Sequence, residues 1–101
     1  GSLRDFCFDY ASIIRLKGVE INEDNFYSQF NIQEAREKFI EKYELQDYII
    51  KLGKTESEYL NLLITASVGR NLMGDYFYHK ILSTNDEFIE VALKKFNLWE
   101  I

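Results

Sequence analysis

The chain's 101 residues suffice for one domain, and 47% hydrophobic and 29% charged residues divide naturally between a core and a wetted surface. A net charge of −5 argues against a generic nucleic-acid binder, whose phosphate contacts need clustered Lys and Arg, and equally against an anionic membrane surface. No stretch approaches the ~20 apolar residues that span a bilayer, and a single cysteine, Cys7, rules out an internal disulfide framework and fits a reducing, cytoplasmic compartment.

Gly1-Ser2 reads as an expression scar, which leaves residues 3–101 as one helical domain, an excised piece of something larger. Leu3, Phe6, Tyr10, Ile13, Ile14 and Leu16 recur at helical spacing, and Gly18 stands where a left-handed residue ends a helix. A hairpin about Lys17-Gly18 is the rival, weakened because Lys-Gly makes a poor two-residue turn. Asn22-Glu23-Asp24 is a helix start, a side-chain cap followed by acids that suit the positive end of the dipole. It opens a short helix carrying Phe26, Tyr27 and Phe30.

Asn31-Ile32-Gln33-Glu34 is a box-like cap, with Ile32, Ala35, Phe39 and Tyr43 as the inward row behind it. Glu34, Glu37, Glu41 and Glu44 lie on the other side, among Arg36, Lys38 and Lys42. Leu45, Tyr48, Ile49 and Leu52 keep a helical period as far as Gly53, so residues 32–52 form one bent helix or two. Thr55-Glu56-Ser57-Glu58 matches a capping box and leads into the longest apolar run, residues 59–68. Ser57, Asn61 and Thr65 give the helix over residues 56–68 one narrow polar stripe, so its neighbours should sheathe it on most sides. A rod so covered leaves little room for a polar pocket.

Gly69 marks a break, and residues 70–82 resume with Leu72, Met73, Tyr76, Phe77 and Ile81. Gly74 in that span signals either a close neighbour or a turn. Residues 76–81 have a strand-like composition that competes with a helix. Thr84-Asn85-Asp86-Glu87 is a third capping box, opening a last helix with Phe88, Ile89, Val91, Leu93 and Phe96 before the apolar tail of residues 98–101. The pattern is all-α: a compact bundle of five to seven short helices around a central apolar helix.

Several residues invite a chemical reading beside a plain one. Asp75 and His79 share a helical face and could hold a metal, although two ligands are too few and the ordinary reading is a surface pair. Cys7 with His79 could form a nucleophile and base, yet cysteine is more often a small buried hydrophobe. Arg70-Asn71 with downstream His79 resembles the catalytic trio of the HEPN ribonucleases, at a wider spacing than that family uses. That resemblance implies a helical dimer whose two subunits complete one RNA-cleaving cleft. Residues 45–80 also trace the outline of a helix-turn-helix, with only Arg70 and Lys80 as basic groups in its would-be recognition helix.

Two surfaces suit a protein partner. Glu37, Glu41 and Glu44 belong to a carboxylate row that is either a solvated face or a docking surface for a basic partner. Tyr76, Phe77 and Tyr78 cannot share one buried face of a helix, so at least one ring reaches the surface, and Trp99 adds an aromatic near the end. The expectation is therefore a non-enzymatic helical interaction or regulatory module, such as a small inhibitor, an immunity-type protein or a phage-type regulator. It binds another protein and needs neither cofactor nor metal. A nucleic-acid-binding regulator and a HEPN-like ribonuclease are the alternatives.

Overall fold

The computed structural model describes residues 1–84, and within them the regular secondary structure is all helix, in six helices. The first, α1 (Ser2–Arg15), buries Leu3, Phe6, Cys7, Tyr10, Ala11 and Ile14, a stripe at helical period. This stripe corrects the expected one: Ile13 and Leu16 lie outside it, and the smaller Cys7 and Ala11 are buried in their place. Gly18 takes φ +78° just past the end, the left-handed conformation a side chain would resist, so the helical reading holds and the hairpin does not.

Residues 16–25 lead into α2 (Phe26–Gln29) through an interlocked pair of asparagines. Asn22 Oδ1 accepts from the amides of Asp24 and Asn25 at 2.9 and 3.0 Å, as a cap at this position should. Asn25 reciprocates, its Oδ1 accepting from the Asn22 amide at 2.8 Å and its Nδ2 donating to the Glu20 carbonyl at 2.8 Å. The turn swings Phe26 inward, where its ring stacks on Phe30 at 5.2 Å and meets the edge of Phe77 at 5.0 Å.

Asn31 caps α3 (Ile32–Lys42), accepting from the Glu34 amide at 3.1 Å. The span up to residue 52 proves to be two helices, α3 and α4 (Gln46–Ile50). The break is at Glu44, which adopts φ +53°. There the Leu45 amide donates to the Ile40 carbonyl at 2.9 Å and the Glu44 amide to Glu41 at 3.3 Å, the paired bonds of a Schellman ending.

The central rod, α5 (Lys54–Met73), is longer than expected at both ends. Gly53 does not stop the preceding helix. It is the extended N-cap of α5, and the Ser57 amide bonds its carbonyl at 2.9 Å. Thr55 therefore falls inside the first turn and makes no cap, so the capping-box reading there is wrong. Gly69 does not break the helix either: the chain runs on to Met73 and turns at Gly74, where φ is +94°. The helix α6 (Asp75–Ser83) then folds back on α5, so residues 76–81 are helix, not strand. Gly69 is what lets the two rods meet, because a Cβ there would stand 2.6 Å from the Phe77 ring.

The sheathing holds. Tyr59, Leu60, Leu63, Ile64, Ala66 and Val68 are buried on several sides of α5, which packs against α1, α3 and α6. Its polar stripe also finds a partner. Arg36, half-buried on α3, donates to Asn61 Oδ1 at 2.8 Å and to the Ser57 carbonyl at 3.1 Å, across the seam between α3 and α5. The third capping box beyond Thr84, the last helix and Trp99 lie outside the described residues.

Candidate functional site

Two depressions flank α1. On its α5–α6 flank is a cleft of about 1030 Å³, lined from α1 by Arg4, Asp5, Phe8, Asp9 and Arg15. Ser67, Arg70 and Asn71 of α5 join from the far wall, with Asp75 and Tyr78 of α6 and Lys42 of α3. A sheathed rod predicts little room for a polar pocket; this cleft is larger than that, although His79 is not among its lining residues. The rod is covered, but its companions are short enough to leave a trench where its C-terminal end meets α1.

Charge in this cleft is largely paired off. Arg70 Nε donates to Asp75 Oδ1 at 2.7 Å, and its guanidinium lies 4.9 Å from the centre of the Tyr78 ring. Lys42 approaches Asp9 at 3.6 Å. Arg15 donates to the Asn71 carbonyl, one of those left over in the last turn of α5. Arg4 and Asp5 form no ion pair among the described residues.

The second depression, about 390 Å³, runs between α1 and α3. Phe6, Tyr10 and Ile13 make its apolar floor, and Asp9, Lys38, Glu41 and Lys42 make its rim. Beside it Lys38 pairs with Glu34 at 3.1 Å, one turn apart on α3, and holds the Glu34 carboxyl below its ordinary range. Burial pushes the Tyr10 hydroxyl up to about 12, with the Glu34 charge adding to it.

The sequence-predicted residues spread over the molecule. Tyr78 is half-buried against Arg70 in the large cleft, whereas Tyr76 is 69% exposed, with Lys80 Nζ 6.0 Å from its ring centre. Phe77 between them is the buried ring of the three. Glu41 rims the smaller depression, Glu37 is exposed on α3, and Glu44 is spent on the turn that ends it.

The chemical trios separate too. Asp75 bonds Arg70 rather than His79, which is exposed on α6 beside the Tyr78 ring. His79 does not line the cleft that holds Arg70. Cys7 is fully buried with its thiol raised to about 12, chiefly by desolvation and against a lowering hydrogen bond with Ser67, and the thiol makes a long 3.9 Å contact to the Ile64 carbonyl. No group of metal-ligating side chains gathers among the described residues, and no described helix is long and apolar enough to cross a membrane.

What sequence reasoning missed is the outer side of α1. Phe8 falls off the helical period of Leu3, Phe6 and Tyr10, and that mismatch was the available signal. Together with Ile13 on α1 and Leu16 at its C-cap it leaves three large apolar side chains in water, at 57%, 50% and 85% exposure for Phe8, Ile13 and Leu16. No protein-family model, curated protein or solved structure matches this chain.

Proposed function

We propose that the chain is a helical protein–protein interaction module, non-enzymatic and regulatory, that docks another intracellular protein along the outer side of α1. The observation that carries this reading is the exposure of Phe8 and Ile13 on α1 and of Leu16 at its C-cap, with Phe8 lining one of two flanking depressions and Ile13 the other. Single exposed hydrophobes are ordinary on a protein surface, but several on one element with concave ground on either side form a place for a partner's side chains. Tyr78 and Glu41, singled out from the sequence, line those same two depressions.

The chemistry of the rival groups supports the same choice. A thiol held near 12 is not a nucleophile at neutral pH, and Arg70 is committed to Asp75 and Tyr78. The test compares the full chain with a Phe8→Asp, Leu16→Asp double variant as bait, followed by binding of the purified partner to each. Both positions are exposed, so the variant keeps its thermal melt and loses at least about tenfold in affinity. Hydrolysis of RNA by the pure protein, abolished by His79→Ala, would overturn the proposal in favour of the ribonuclease alternative. Salt-sensitive RNA or DNA binding lost in Arg70→Ala would overturn it in favour of a nucleic-acid regulator.

A further inference from the structure

The outer side of α1 carries charge in an ordered way, and that order specifies a partner. At about 100° per residue, Arg4 and Arg15 fall within about 20° of each other around the helix, on one side of Phe8, while Asp5 and Asp9 fall on the other. All five side chains line the same cleft. The result is an aromatic ridge, 57% exposed at Phe8, with a guanidinium edge towards α5 and a carboxylate edge towards α3.

The two edges are not equally satisfied. Asp9 already has Lys42 at 3.6 Å. On the other edge neither arginine has a carboxylate: Arg15 reaches a backbone carbonyl, and Arg4 forms no ion pair among the described residues. An arginine fork matches a carboxylate in two parallel hydrogen bonds, and aromatic and Arg residues are those that carry binding energy at interfaces.

From this pattern, and resting on the docking role proposed above, we infer that the partner presents an amphipathic helix, with an apolar anchor on Phe8 and a carboxylate edge against Arg4 and Arg15. Arg4 and Arg15 are eleven residues apart, roughly 16 Å along α1, so the partner's acids recur at the same three-turn interval. A nucleic-acid strand fits less well. Asp5, Asp9 and Asp75 line the same cleft and would repel its closely spaced phosphates. A helix confines its acids to one edge, and opposite edges of opposite sign fix its orientation as flanking charges do in a coiled coil.

The test uses the full chain and three synthetic helical peptides that share a leucine anchor. They carry Glu, Gln or Lys at two edge positions eleven residues apart, and affinity is read by fluorescence anisotropy at low and moderate salt. The Glu peptide binds about tenfold tighter than the Gln peptide at low salt and the Lys peptide weakest, with the gap narrowing as salt rises. Arg4→Glu erases the preference, and since Arg4 has no ion pair to lose the variant keeps its melt. Phe8→Ala weakens the Glu and Gln peptides alike.

Equal binding of Glu and Gln peptides, still weakened by Phe8→Ala, overturns the acidic edge but leaves the docking role standing. No binding of the Glu peptide at about 1 mM overturns the inference, while the bait experiment above decides the docking role separately. Displacement of the Glu peptide by a short single-stranded RNA, with a steeper salt dependence, also overturns it by assigning the arginines to phosphate.

Discussion

Gly69 and Glu44 occupy each other's natural places. Gly69 sits mid-helix, where glycine costs about 1 kcal/mol against alanine, and Glu44 sits in a left-handed turn that glycine would suit. The first is explained by the Phe77 ring, 2.6 Å from where a Cβ would be, with Ile81 at 3.3 Å. Phe77 has little freedom to yield, being buried in a T-shaped contact with Phe26. Gly69→Ala should therefore not gain the stability its propensity promises: overpacking costs about 1–3 kcal/mol and the propensity gain returns about 1, for a net loss of up to about 2 kcal/mol in urea unfolding. In a Phe77→Leu background the same change should cost measurably less, and equal costs in both backgrounds would show that the ring is not the obstacle. Glu44→Gly should stabilise by about 0.5–1 kcal/mol, since a left-handed residue other than glycine carries about 1–2 kcal/mol of strain, part of which glycine's unfolded-state entropy takes back. Glu44→Ala, as strained as the native residue, should be near neutral in the same assay.

At the scale of elements, what could be read from sequence depended on whether its cause was local. Asn31 was legible because a cap is decided within four residues, and Asn22 likewise. Thr55 carries the same signature and caps nothing, because Gly53 starts α5 two residues earlier and turns Thr55 into an ordinary first-turn residue. The contrast is measurable: Asn31→Ala should cost about 1 kcal/mol and Thr55→Ala should stay within about 0.5. Equal losses would mean that Thr55 does accept a first-turn amide and that the helix begins where the sequence suggested. Gly69 against Gly74 was not decidable locally. Both are glycines near the end of an apolar run, and only the return of α6 eight residues later distinguishes the packing glycine from the turning one. The ridge on α1 failed for a related reason. Ile13 and Leu16 fit the period of an inward face, but the buried stripe runs through Leu3, Cys7, Tyr10, Ala11 and Ile14 and leaves the larger pair in water.

At the scale of the whole molecule, α5 is the element against which α1, α3 and α6 are placed, and two groups buried on α1 carry most of how the fold answers to alkali. Cys7 is buried there with its thiol pushed up from 9.0 to about 12, and Tyr10 in the same helix is pushed from 10.0 to about 12, in both cases chiefly by desolvation. Both groups bind their protons more tightly folded than unfolded. Their contribution is therefore complete below the unfolded pKa values and is lost as pH rises through the folded ones. Lys80, raised by its hydrogen bond and charge contact with Glu23, changes in the same sense above the usual lysine range. Glu34, lowered by Lys38, acts on the acid side: its contribution holds above the unfolded carboxyl value and fades as pH falls through the folded one. Stability should accordingly be level through neutrality and begin to fall above pH 9, by up to about 1.4 kcal/mol per pH unit for each buried group titrating only when unfolded. Because the unfolded thiol titrates first, at 9.0 against 10.0 for the phenol, Cys7→Ala should move the onset up by about one pH unit while lowering stability at pH 7 through the small cavity it leaves. Urea unfolding from neutral pH to about pH 11 reads both effects, and an onset that does not move in Cys7→Ala would mean the thiol is not sealed between α1 and α5.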